Sequence, residues 1–589
     1  LIERNWRWRF TRHGARRKNA MPLPDPPPSL LRSDQAVRAP AETLTAAFER
    51  AARDGAPFVT FHGAKGPVVR PVRDALEAAR RWGALLQSRG VGRGDRVPIL
   101  MPTGHAFVEA MLGTMLAGAV AVPLATPMTF GNVDRYMLNL AAIVADSGAR
   151  LLISYPRIVD AMASDQTLRA SLREVVTEAD LDGLAGAPLR SPSLGGSDAA
   201  FIQYTSGTTG RPKGAVISHR ALTANAFAIA TGLGIGSGSV GASWLPMFHD
   251  MGLVGVLLTS ICHPYPVHVM SPESFIMRPA RWLELVSRVG ATLSPAPNFA
   301  YELCVARASE QELEHVRLDS WRIALNGAEP VHATTARRFL DRFASRGFGP
   351  DVVMPVYGMA EATLAVTFPT LDGKLQTLSV DRDALEQDRR ARPATGGYPA
   401  VSVGGPVAGM TVQVEGDRGR TAVEGEVGEI LVRGPSLMDG YFRNEEASAA
   451  VLADGWLRTG DLGFIHASRL FVSGRAKELI IKAGRNFHPY DIERVASEVD
   501  GVRLGAVAAF GRPNGDTGTD DLVVVIEASQ PDPERRARLM TDVRGELLAV
   551  LGVKPDDVRV CAVGAVPRTT SGKVRRGECA RVFAREGVA

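Results

Sequence analysis

The sequence predicts an α/β protein, on three observations. From about residue 40, segments with helical spacing alternate with short apolar runs, as expected of mostly parallel sheets flanked by helices. From about Gly404 the texture changes to short alternating strands with glycine turns, which suggests a β-rich subdomain. After Gly474 a final stretch carries its own strand–helix pattern and is long enough for a separate small α+β domain. A chain of 589 residues also exceeds what one hydrophobic core normally covers.

In chain order, residues 1–39 read as a basic, Pro-rich leader without fixed structure. Residues 1–20 hold seven Arg/Lys and one Glu, so residues 21–589 carry 61 Lys+Arg against 62 Asp+Glu. The net charge of +5 therefore belongs to the leader, and no nucleic-acid or membrane partner follows from it. The leader is expected to be an overextended start, with Met21 as the first residue; a targeting peptide or an arm for anionic surfaces is the alternative. Five prolines in Pro22–Pro28 predict a stiff extended linker.

Val72–Arg89 has helical spacing, with Gly90 as its stop, and leads to a strand over Arg96–Met101. Thr103 is placed to cap the next helix, and Ala119–Leu124 reads as another strand. Helix and strand recur at Tyr136–Ser147 with Arg150–Ser154, Ala280–Arg288 with Ala291–Leu293, and Ala333–Ser345 with Val352–Val356. Thr411–Val414 and Glu429–Val432 are strands of the β-rich part; Leu504–Phe510, Leu522–Glu527 and Ala537–Val550 belong to the last domain. The longest apolar run, Met111–Ala125, is fifteen residues and contains Gly113, Gly118 and Pro123, too short and broken to span a bilayer. The four cysteines (Cys262, Cys304, Cys561, Cys579) have no paired spacing, so buried reduced thiols in a cytoplasmic protein are expected.

The chemistry centres on Tyr204-Thr-Ser-Gly-Thr-Thr-Gly-Arg-Pro-Lys-Gly214, between a strand at Ala199–Gln203 and a helix near Ala221–Ile229. A loop holding Thr205, Ser206, Gly207, Thr208, Thr209, Gly210 and Lys213 can turn backbone N–H groups, hydroxyls and a cation toward one polyphosphate. It lacks the Gly-Lys-[Ser/Thr] ending of a Walker A loop. A glycine-rich surface turn is the bland alternative. In a sheet with parallel strands the loop should lie at the carboxyl ends, where ligands sit.

This string closely resembles the signature of the adenylate-forming superfamily, which includes acyl-CoA synthetases, peptide-synthetase adenylation domains and luciferases. The resemblance extends over roughly residues 40–585, with further motifs in the expected order. It implies an adenylation domain over 40–474 and a mobile C-terminal lid over 477–589, with ATP and Mg²⁺ required. In Tyr357-Gly-Met-Ala-Glu361 it implies that Tyr357 stacks on adenine, flanked by Gly358 and Met359. Glu361 would ligate Mg²⁺, a catalytic role. Asn326-Gly327-Ala328 resembles the adenine turn, and Thr459-Gly-Asp461 the ribose motif, with Arg475 as a second contact. Lys477 falls at the hinge. Lys573, in Thr569-Thr-Ser-Gly-Lys573, matches the catalytic lysine that stabilises charge at the α-phosphate.

Trp244-Leu-Pro-Met-Phe-His-Asp-Met-Gly252 and Tyr357-Gly-Met-Ala-Glu-Ala-Thr-Leu364 resemble strings of one branch, the fatty-acyl-AMP ligases. In the second, Met359 stands for Leu, a volume-conserving change. An insertion at about 365–402 also fits that branch, where such a segment braces the two domains and accompanies poor CoA use. Gly484-Arg-Asn-Phe-His-Pro-Tyr-Asp-Ile-Glu493 resembles it as well. His249, counted with the catalytic residues, matches a position that the resemblance ties to ATP binding and to the mouth of the acyl tunnel; Met251–Ile261 could line that tunnel, plain core being the alternative. The resemblance implies a medium- or long-chain fatty acid as substrate and an acyl carrier protein as acceptor. A fatty-acyl-CoA ligase and a non-catalytic adenylate-binding protein are the alternatives.

Overall fold

The computed structural model describes residues 28–39, 41–127, 133–162, 172–184, 188–205, 212–373, 375–482, 485–503, 505–514, 519–528, 532–568 and 574–583. Two seven-stranded sheets form the body. One runs Gly440–Tyr441, Lys213–Ser218, Ala199–Thr205, Val120–Pro123, Arg96–Ile99, Leu151–Ile153, Glu174–Val176; its last five strands are parallel. The other runs Val353–Pro355, Ile323–Asn326, Leu293–Ala296, Gly241–Ser243, Val267–Met270, Val59–Gly63, Gly66–Arg70 and is parallel except for its terminal hairpin. Their strands are continuous apolar runs because helices cover both faces. The central strands are accordingly dry: Ile99, Ala121, Leu152 and Ala324 have no accessible surface.

The helices between these strands fall where the spacing places them: Val72–Ser88, His105–Leu116, Val133–Ser147, His219–Gly232, Ala280–Val289 and Ala333–Phe343. Gly90 takes φ +79 just past its helix and donates to Gln87, the left-handed stop a glycine makes without strain. The Thr103 cap is not made. Gly104 stands at the N-cap of His105–Leu116, and the Thr103 hydroxyl instead accepts from the Met247 amide at 3.3 Å. A hydroxyl next to a second loop has a competing partner that local spacing does not reveal.

The β-rich part is a six-stranded antiparallel sheet built on Thr411–Glu415, Gly428–Arg433, Trp456–His466 and Arg469–Arg475. The leader expectation fails at its end. Leu30–Arg32 forms a strand that pairs antiparallel with Thr411–Glu415, and Ser29 is fully buried. The extended conformation that prolines favour leads straight into a sheet edge here, so residues 28–35 belong to the fold. Residues 1–27 of the leader lie outside the described residues.

Beyond Arg475 a smaller unit has Val507–Asn514, Thr519–Glu527 and Asp557–Cys561 as its sheet, the first pair antiparallel and the second parallel. Helices Pro489–Ser497, Pro533–Leu551 and Arg576–Val582 accompany it, around a core of its own that includes Ile492, Val524 and Leu547. All four cysteines are free and buried. Among the described residues no helix is long and apolar enough to cross a membrane.

Candidate active site

The strands Ala199–Thr205 and Lys213–Ser218 pair antiparallel with Thr205 opposite Lys213, so the glycine-rich loop is the connection of a hairpin. Ser206, Gly207, Thr208, Thr209 and Gly210 lie outside the described residues, as does Lys573. The strand before the loop is tied to a second element through Gln203, whose amide donates to the Phe248 carbonyl at 3.0 Å. That bond fixes the turn carrying His249, which caps the helical run at Asp250 and whose Nδ1 lies 2.7 Å from Asp250 Oδ1.

Asn326 ends its strand fully buried. Its Nδ2 donates to Asn298 at 3.1 Å, while its Oδ1 has no protein partner. At Gly327 an added Cβ would stand 2.6 Å from the Val356 side chain, and Ala328 is held at φ +68. A non-glycine residue in the left-handed region is strained, and such strain concentrates where backbone must approach a ligand. An orphaned buried acceptor beside a flattened, strained turn fits a flat heterocycle with hydrogen-bond donors.

The next strand leads to Tyr357–Gly358, which pairs with Ala365–Phe368. Gly358 is compulsory there, because a Cβ would lie 1.9 Å from the Leu364 carbonyl oxygen. The reversal between these strands places Glu361 on a single 3₁₀ turn, Ala360–Ala362, closed by Thr363 at φ +65. The Thr363 hydroxyl donates to the Ser436 carbonyl at 2.6 Å, which holds the strained turn in place. Tyr441 donates its hydroxyl to Glu361 Oε1 at 2.9 Å.

Asp461, 5 % exposed, is gripped from two sides. The Tyr357 hydroxyl donates to Oδ2 at 2.8 Å, and the cross-strand neighbour Arg475 donates through Nε to Oδ1 at 2.9 Å. This carboxylate raises the pKa of Arg475; burial, with Asp461 second, holds the Tyr357 phenol well above its usual range. Lys477 is exposed on the 3₁₀ turn Ala476–Glu478 that follows.

Thr205, His249, Ala328, Tyr357, Gly358, Met359, Glu361, Asp461 and Arg475 all border one cavity of about 1470 Å³. Asn326, Gly327, Lys213 and Lys477 do not border it. The same cavity is also bordered by the apolar side chains of Ile143, Ile229, Leu233, Phe248, Val256 and Phe368. Met251, Gly255 and Val256 from the Met251–Ile261 run reach it, the run winding as a π-helix over Leu253–Leu258. Among the described residues no group of three or more His, Cys, Asp or Glu could cage a metal. One hard carboxylate beside a phosphate-type loop fits Mg²⁺ instead, since that ion keeps most of its water and substrate-phosphate ligands.

Two features escaped the motifs. Tyr441, on a two-residue strand, touches the site through side-chain geometry alone. Arg576, three positions after Lys573, donates to Glu478 at 2.7 Å and to Glu493 at 2.6 and 2.9 Å, and lies over the Tyr490 ring at 3.7 Å. It ties the segment leaving Lys573 to the turn that carries Lys477. A cation set close behind a glycine-rich loop is too common in sequence to signal this.

Comparison with known proteins identifies the family. Residues 71–442 match the model of the AMP-binding enzyme family. The chain is 36 % identical over 565 residues to a Caulobacter vibrioides protein provisionally named an acyl-CoA synthetase, covering 94 % of this chain and 97 % of that protein. It is 34 % identical to the medium-chain-fatty-acid–[acyl-carrier-protein] ligase JamA of Moorena producens, over 85 % of this chain and 88 % of the relative. Its fold superposes with a TM-score of 0.87, at 33 % identity, on a structure from a study of fatty acyl-adenylate ligases of E. coli and L. pneumophila, with 93 % and 99 % of the two chains covered.

Proposed function

Because the chain belongs to the AMP-binding enzyme family of adenylate-forming ligases, we propose that it activates a medium- or long-chain fatty acid to acyl-AMP and hands the acyl group to the phosphopantetheine thiol of an acyl carrier protein. The observation that carries this is a single cavity bordered both by the polar groups of Tyr357, Glu361 and Asp461 and by the apolar side chains of Ile229, Leu233 and Phe368, with His249 also on its border. A nucleotide and a hydrocarbon tail would share it. Relatives named for fatty acids, one of them for a carrier protein, support the same reading.

The substrate carboxylate attacks the α-phosphorus of ATP, a P–O bond forms, and pyrophosphate leaves. Asp461 accepts from the ribose hydroxyls, the turn ending in Ala328 meets the base, and the loop through Thr208 holds the leaving phosphates. Lys573 supplies positive charge to the α-phosphate oxygens, an electrostatic role that needs no covalent intermediate on the protein. Glu361 would hold Mg²⁺, which when bound neutralises charge on the phosphates. The thiol then attacks the acyl carbonyl, a thioester forms, and AMP leaves with the bonding electron pair. Lys477 is the pivot between the two steps, and the cytoplasm is the expected compartment.

The test is incubation of the protein with ATP, Mg²⁺ and a panel of fatty acids, with CoA or a phosphopantetheinylated carrier protein, products read by mass spectrometry. Acyl-AMP that builds up with CoA and is consumed by the carrier is expected. Acyl-CoA released as fast as adenylate forms would instead favour the fatty-acyl-CoA ligase reading, which the name of the Caulobacter relative suggests. Lys573→Ala is expected to lower fatty-acid-dependent pyrophosphate exchange by about 10²–10³-fold. Exchange that survives it unchanged would remove the lysine from its role.

A further inference from the structure

Residues 436–442 cross behind the phosphate side of the site and are stitched to both of its halves. On one side the Met438 amide donates to the Glu361 carbonyl, and Ser436 receives the Thr363 hydroxyl. On the other, Asp439 donates to Val216 and Phe442 to Gly214, so Gly440–Tyr441 pairs with the strand that leaves the glycine-rich loop. The segment thus sets the distance between the Glu361 turn and the Lys213 strand. Side chains complete what the backbone begins. The Tyr441 hydroxyl donates to Glu361 at 2.9 Å, and the Lys213 ammonium lies over the Tyr441 ring, 5.1 Å from its centroid.

One aromatic side chain engages both charges: its edge donor takes the anion, and its π face takes the cation. Resting on the reading of this region as the phosphate subsite, we propose that Tyr441 is a positioning residue that keeps Glu361 and Lys213 apart and aimed, the carboxylate toward a divalent cation and the ammonium toward phosphate oxygens.

The test separates hydroxyl from ring. Tyr441→Phe keeps the ring under Lys213 and loses the donor to Glu361; Tyr441→Leu loses both. Mn²⁺ is titrated in the presence of the non-hydrolysable analogue α,β-methylene-ATP and followed by electron paramagnetic resonance, with circular-dichroism melting to confirm that each variant folds. Tyr441→Phe is expected to weaken Mn²⁺ about tenfold while metal-free analogue affinity stays within about twofold. Tyr441→Leu is expected to weaken the analogue as well. Wild-type Mn²⁺ affinity in Tyr441→Phe overturns the proposal. These measurements contain no fatty acid, so wild-type protein that binds Mn²⁺ and analogue but makes no acyl-AMP would sink the functional reading and leave the tyrosine's role standing. Wild-type protein that binds neither sinks both.

Discussion

At the scale of single residues the site consists of charges that hold one another in place. Asp461 is the clearest case, since one carboxylate accepts from Tyr357 and Arg475 together. Hydrogen bonds to a charged group contribute about 1.5–3 kcal/mol each, roughly 10–100-fold in affinity. Asp461→Asn keeps the shape, loses the charge, and presents a donor where an acceptor is needed. Its KM for ATP should rise by about that factor, with the KM for fatty acid unchanged, as read by steady-state pyrophosphate release. Stability should change little, because the Arg475 side chain is 49 % exposed and water can take over its charge. A loss shared equally between both substrates would mean that Asp461 organises the lobe and does not bind ribose.

At the scale of elements, the part of the insertion near 365–402 that matters is the helix Arg382–Glu386 between the strands Thr377–Val380 and Tyr398–Val401. Glu386 is buried with one carboxylate oxygen lacking any partner, and burial pushes its carboxyl up to about 7, with Asp491 adding to the rise and Arg382 opposing it. A carboxyl raised in the folded state binds more protons there than in the unfolded chain between about pH 4.5 and 7. Its contribution to stability is therefore full below that window and falls as pH climbs through it. Glu386→Gln imitates the protonated form, so its melting temperature should match wild type near pH 5 and exceed it at pH 8. A wild-type advantage at pH 8 would mean that the Arg382 ion pair outweighs the burial. Nothing in the sequence announces this carboxyl: Arg382 and Glu386 read as an ordinary helical pair four apart, and only burial in the fold, with Asp491 arriving from more than a hundred residues away, makes the environment hostile to charge. By contrast, the Tyr357–Glu361 motif was legible as a string of residues, and in the fold Gly358 has no alternative at its place. The glycine-rich stretch after Thr205 was legible likewise as composition and order of residues. Tyr441 was not, since a tyrosine after a glycine carries no signal until two strands place it under Lys213. The failed reading of residues 28–39 has the same origin: a sheet edge supplied by Thr411–Glu415 decides their conformation, and local composition does not.

At the scale of the whole molecule, the proposed chemistry would ask the C-terminal unit to move, while the structure ties it to residues 382–386. Arg485 reaches Asp383 at 3.1 Å, Asn486 donates to the Glu386 carbonyl at 2.8 Å, and Arg382 lies 3.6 Å from Asp491. Close by, Gly474 packs so tightly on the His488 ring that a Cβ would stand 2.2 Å from its Nδ1. These contacts are unequal. The Arg485–Asp383 pair is exposed on the aspartate side and contributes about 0–1 kcal/mol at most. The Asn486 bond and the Arg382 contact are shielded, so they carry more of the attachment. Only differential stabilisation of one arrangement shifts the balance between arrangements. An attachment of this kind therefore favours the arrangement seen here and works against any other that a free soluble thiol would need. A carrier protein can offset that penalty with a larger binding surface than CoA offers. The double variant Arg382→Ala/Asn486→Ala should accordingly keep acyl-AMP formation within about threefold of wild type while raising acyl-CoA output by about tenfold, a shift of roughly 1.4 kcal/mol in the balance. Carrier-dependent transfer should change less, because the partner already supplies what the broken contacts release. Both outputs can be read in one competition assay by mass spectrometry. If acyl-CoA stays flat while adenylate is made normally, the insertion does not govern access for the acceptor, and the choice of thiol must be decided where that thiol first docks.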